Sequence, residues 1–162
     1  MTMTTTGTAE VTLPADEQIL ITREFDAPPE LVYEAWTTPE LVEQWWGDKR
    51  GTGTTAEIDL KVGGEWRYAM EATGGFEVAF RGTYSEIVPN ERLVYTEIFE
   101  AFPDSVSEIT ATFEALDGGR TRVEQLCTYP NREVRDTVIE SGMEAGMQES
   151  LDALERVALD RG

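Results

Sequence analysis

The chain has 162 residues, with 32 acidic and 13 basic side chains, no histidine and a formal net charge of −19. So acidic a surface repels phosphate backbones and anionic headgroups, which excludes nucleic acid and the membrane surface as partners. No apolar run reaches the ~20 residues that span a bilayer, and the single cysteine, Cys127, allows no internal disulfide and suits a reducing cytoplasm. The acids are scattered rather than clustered, which reads as solvation of the surface and not as a docking patch.

Residues 1–17 are Thr-, Gly- and acid-rich with little to bury, and are expected to form a disordered leader to a single domain over 18–162. From Ile19 the pattern is strand-like through Phe25. Pro28 and Pro29 then open a helix whose apolar residues Leu31, Val32, Ala35 and Trp36 share one face. Thr38 stands as N-cap candidate and Pro39 at the first helical position of a second short helix, which carries Leu41, Val42, Trp45 and Trp46. Residues 47–53 read as a glycine-rich charged loop.

Strands follow at hairpin spacing. Residues 54–60 make one, and 65–72 alternate Trp66, Tyr68 and Met70 against Glu65, Arg67 and Glu71. Phe76, Val78, Phe80, Gly82 and Tyr84 share the next parity. Residues 92–99, 107–116 and 121–129 complete an antiparallel meander, with Asp117, Gly118 and Gly119 the strongest turn signal. The last thirty residues change to a helical period, with Val134, Val138, Met143, Met147, Leu151, Leu154 and Val157 on one stripe. One long amphipathic helix is predicted, interrupted only by Gly142 and Gly146, and a curved sheet wrapped around it buries both apolar faces. The fold class is α+β, a helix-grip.

The chemistry-bearing residues are few. Without histidine the usual general base near neutral pH is missing, Cys127 has no imidazole to pair with, and no glycine-rich phosphate loop is present. No metal, cofactor or catalytic group is expected. Two polar residues stand out: Glu97 faces inward if Leu93, Tyr95 and Phe99 do, and solvent if Val94, Thr96 and Ile98 do; Gln125 shares parity with Val123 and Cys127. The candidate ligand-binding set is Trp46, Trp66, Tyr68, Met70, Phe80 and Tyr84 from the first half of the sheet, Tyr95, Glu97, Phe113 and Gln125 from the second, and Met143 and Met147 from the helix. Each of the apolar ones is equally compatible with plain core.

The order Ala27-Pro28-Pro29-Glu30, Thr38-Pro39-Glu40, Trp45-Trp46-Gly47, Gly63-Gly64-Glu65-Trp66-Arg67, the run from Arg81 to Val94, and Gly118-Gly119-Arg120-Thr121 resembles the branch of the START/Bet v 1-like (SRPBCC) superfamily named for the homologue of the activator of Hsp90 ATPase. The resemblance spans residues 19–159. Gly146-Met147 departs from it, since many members carry Gly-Trp there. It implies a helix-grip fold around a hydrophobic pocket that binds a small apolar molecule. Activation of Hsp90 is not the expected role, because the eukaryotic co-chaperone makes its principal contact through a separate N-terminal domain not found in this sequence. Binding without catalysis is the leading expectation. A cyclase- or aromatase-type enzyme using cavity carboxyl and phenol groups, and a protein-interaction module, stay open as alternatives, as do a monomer and a homodimer.

Overall fold

A computed structural model describes residues 9–46, 51–72 and 74–161. Along the chain run β1 (Glu10–Thr12), β2 (Gln18–Phe25), α1 (Pro29–Thr37), α2 (Pro39–Trp45), β3 (Gly51–Ile58), β4 (Glu65–Ala72), β5 (Glu77–Val88), β6 (Arg92–Phe99), β7 (Val106–Leu116), β8 (Arg120–Thr128), α3 (Arg132–Glu140) and α4 (Met143–Arg161). The strands form one antiparallel sheet in the order β1-β2-β8-β7-β6-β5-β4-β3. Strands β3 to β8 are a meander, and β2 closes against β8 with Ile19 opposite Cys127 and Phe25 opposite Thr121.

Period-2 alternation decides which face is buried. In β2 the inward residues are Ile19, Ile21, Arg23 and Phe25; in β7 they are Ser107, Ile109, Ala111 and Phe113. Helix α4 lays Leu151, Leu154, Val157 and Ala158 against that face and packs on α1 and α2. Each fully buried Leu, Val or Phe contributes ~1.5–3 kcal/mol, and Phe25, Leu93 and Val123 of the sheet and Leu154 of α4 are among the largest such side chains in the shared core. Arg23 is the charged exception on the inner face of β2. It is 4% exposed, stacks 4.5 Å above the Phe25 ring and reaches Asp152 at 2.7 Å and Glu155 at 3.4 Å, tying β2 to α4.

The β5–β6 ladder is irregular around Gly82 to Glu86. Gly82 has no side chain, and the Trp66 indole lies over it to donate to the Thr96 carbonyl at 3.2 Å. A Cβ at Gly82 would collide with that carbonyl and with the indole nitrogen. The ladder also shifts register between Tyr84 and Glu86, and such irregularities increase local twist and curvature. Two features of the sequence therefore shape the groove.

Four expectations need correction. Residues 9–17 are not a disordered leader: β1 pairs with β2, and Ala9 and Val11 are fully buried. The reason lies far along the chain, where the Gln148 amide accepts from the Ala9 N–H at 3.0 Å and donates to the Ala9 carbonyl at 2.9 Å. Residues 1–8 lie outside the described residues. The C-terminal helix is two helices, because Gly142 takes φ +82° and closes α3 with the left-handed cap that favours glycine. Gly51 to Gly53 belong to β3 and not to a loop, with Gly53 at φ +65° inside a register shift; 47–50 lie outside the described residues. Thr38 does occupy the N-cap position of α2, yet its side chain makes no capping bond, and the helix starts from its carbonyl instead.

Candidate functional site

A cavity of about 1020 Å³ lies between the inner face of the sheet and helices α3 and α4. Protein interiors are packed with few voids larger than a water molecule, and this space is far larger than those. Its aromatic wall is continuous. Successive ring pairs run Tyr84–Tyr95 (6.0 Å between centroids), Tyr95–Trp66 (5.6 Å) and Trp66–Tyr68 (4.8 Å). From Tyr68 the chain passes to Trp46 (5.8 Å), Phe80 (5.8 Å), Phe99 (4.9 Å, stacked) and Phe102 (5.7 Å). It starts at Tyr84, which is 4% exposed, and ends at Phe102, which is 65% exposed. Phe102 and the equally open Phe76 therefore mark the mouth, and Tyr84 the floor.

The strand parity left open in the sequence is resolved at β6. Leu93, Tyr95, Glu97 and Phe99 all line the cavity. Glu97 thus sits in an apolar wall, and burial raises its carboxyl from the ordinary 4.5 to about 7. It retains some solvent-accessible surface, and that surface borders the cavity. Burial likewise pushes the Tyr68 and Tyr95 phenols and the Cys127 thiol upward, with the nearby Glu97 charge adding to each. Tyr129 shifts the same way for the same first cause, and interacts with Cys127. Near neutral pH these phenols and the thiol keep their protons.

Of the expected set, Trp46, Trp66, Tyr68, Met70, Phe80, Tyr84, Tyr95, Glu97, Gln125, Met143 and Met147 all line this space. Phe113 does not. It shares the inward parity of β7 but lies beneath α1, edge-on to Tyr33 and Trp36 at 5.6 Å each, and is core. Lining residues absent from the expected set include Phe76, one position before β5 and on the parity of Val78 and Phe80, Phe102 in the turn after β6, and Cys127 and Tyr129 on and just beyond β8. From α3 come Val134 and Val138, on the apolar stripe already visible in the sequence. Tyr33 adds an oddity below the floor: its hydroxyl is buried with no hydrogen-bond partner among the described residues. Among those residues no three His, Cys, Asp or Glu side chains gather into a metal-binding group. Among the described residues no helix is long and apolar enough to cross a membrane.

An antiparallel sheet curved around a long C-terminal helix, with two short helices closing one end, defines a helix-grip protein of the Bet v 1/START-like kind. Within that class the chain belongs to the family described as activator of Hsp90 ATPase homolog 1-like protein, whose model matches residues 26–158. Among solved structures it is similar to a protein of Rhodobacter sphaeroides at 22% identity, covering 94% of this chain and 98% of that one with a TM-score of 0.79. A protein of Mycobacterium smegmatis is 25% identical over 91% and 94% of the two chains, with a TM-score of 0.77. A protein of Chromobacterium violaceum is 28% identical over 86% and 96%, with a TM-score of 0.69. The comparison with curated proteins finds no match.

Proposed function

We propose that this chain holds one small hydrophobic molecule between α4 and the concave face of the sheet, and that it does so without chemical turnover. The observation that carries the reading is the unbroken aromatic wall around about 1020 Å³ of space, the size and lining of ligand pockets in general. Aromatic and Met side chains would supply burial, while Tyr68, Tyr84, Glu97 and Gln125 would orient the ligand by hydrogen bonds. Inside the wall the phenols and the thiol are held protonated by burial, which leaves no ready nucleophile and favours binding over catalysis. The protein would work in the cytoplasm, with the small molecule, rather than Hsp90, as its partner.

Titration with the neutral fluorescent probe N-phenyl-1-naphthylamine tests this. The reading expects saturable one-to-one binding with a blue-shifted emission, and emission transfer from the wall tryptophans to the probe. Absence of saturable binding would contradict it.

A further inference from the structure

The cavity wall carries a carboxylate where elementary energetics would put an apolar side chain. On β6 every other inward residue, Leu93, Tyr95 and Phe99, is apolar or aromatic, and Glu97 alone breaks the pattern. Even partly withdrawn from water in an apolar wall, an unpaired carboxylate is unfavourable. Among the described residues Glu97 has no hydrogen bond and no ion pair, and no Lys or Arg lines the cavity. Leu or Met at position 97 would serve the fold better. A locally unfavourable residue kept at a cavity wall points to a ligand that completes it.

Resting on the binding reading above, we propose that the ligand is a lipophilic amine, its protonated nitrogen seated against the Glu97 carboxylate and its apolar body extending along the aromatic wall. Two further features fit a cation and disfavour an anion. Trp66 packs on both Tyr68 and Tyr95 at 4.8 and 5.6 Å, and both phenols lie within electrostatic reach of Glu97, so the carboxyl shares its wall with aromatic rings of the kind that make cation–π contacts. The whole-chain charge of −19 raises the local concentration of cations and lowers that of fatty acids and other anions. With its carboxyl raised to about 7 when empty, Glu97 would ionise fully as an ammonium group approaches.

Decylamine, decanol and decanoate share one chain and differ in the head group, so their displacement of N-phenyl-1-naphthylamine isolates the role of Glu97. High salt is included to screen the acidic surface. Near pH 8 the amine should displace the probe at roughly tenfold lower concentration than the alcohol, the energy of one favourable charged contact, and decanoate should be weakest. In Glu97→Gln the amine-to-alcohol ratio should fall to about one. The wild-type protein supplies a second readout that needs no variant: near pH 5, with Glu97 protonated, its ratio should fall by roughly tenfold. Tyr68 on β4, Tyr95 on β6, Cys127 on β8 and Tyr129 beyond it are the groups in electrostatic contact with Glu97, and all stay protonated across that range; Glu133 on α3 is the other carboxylate that lines the cavity, and the Glu97→Gln comparison separates its contribution. Probe binding with equal affinities for amine and alcohol, or a ratio indifferent to both pH and substitution, would overturn the amine and leave the pocket reading standing. Failure of the probe to bind would overturn both.

Discussion

Replacing Glu97 by Gln changes one ionisable group in the cavity wall and almost nothing of its shape. The native carboxyl titrates at about 7 against an ordinary 4.5. The folded protein therefore binds this proton more tightly than the unfolded chain does. Stability from the protonated carboxyl is fully present below pH ~4.5 and is lost as pH rises to about 7, beyond which the buried charge is a constant burden. At 1.36 kcal/mol per pH unit the burden is about 3 kcal/mol. Gln carries none of it. The variant should match wild type, apart from a constant offset, near pH 4.5, and gain on it progressively until it leads by about 3 kcal/mol near pH 8. Urea unfolding of both proteins across that range measures the difference, and the many surface carboxylates cancel because both proteins share them. Tyr68, Tyr95, Cys127 and Tyr129, the ionisable neighbours, do not titrate in this window. A difference that stays flat with pH would refute the placement of Glu97 in an apolar wall.

Three other substitutions separate cavity from core. Met147 borders the empty space from α4, so Met147→Trp should lower probe affinity at least tenfold while denaturant unfolding shifts by less than ~1 kcal/mol; a loss of ~1–3 kcal/mol would mean that the site is already close-packed. Gly82→Ala forces β5 and β6 apart at the Thr96 carbonyl and should cost ~3 kcal/mol or more, read as a lower urea midpoint; an unchanged midpoint would contradict the close approach described at Gly82. Gln148→Ala removes two buried hydrogen bonds to Ala9, worth ~2–3 kcal/mol together. Amide exchange in β1 should accelerate with it, and protection there equal to wild type would show that β2 alone retains the strand.

Residues whose role is set by local periodicity were legible in the chain. The bounds of β4 and β6 match the alternation of Trp66, Tyr68 and Met70 and of Leu93, Tyr95, Glu97 and Phe99. What periodicity cannot express is which of two equivalent parities a tertiary partner will cover. Glu97 was ambiguous for that reason, and Phe113 was misplaced because inward parity on β7 leads to α1 at one point and to the cavity at another. Strand β1 is three residues long and follows Ala9, whose backbone is bonded by Gln148 some 139 positions away, a contact that no window along the chain contains. The helix break at Gly142 had a visible signal, the glycine itself, but a helical glycine and a left-handed cap look alike until φ is known. Phe102 lies in a turn outside any periodic segment, where an exposed aromatic is read as incidental, whereas Phe76 shares the parity of Val78 and Phe80 but stands one position before β5.

The most direct test of the central claim is native mass spectrometry of the protein purified from its source cells, repeated after denaturing extraction. The account predicts a stoichiometric adduct of a few hundred daltons, an order of magnitude typical of pocket ligands, released on unfolding and recovered as an apolar amine. A bare protein mass that stays bare after incubation with decylamine and with the naphthyl probe would contradict it.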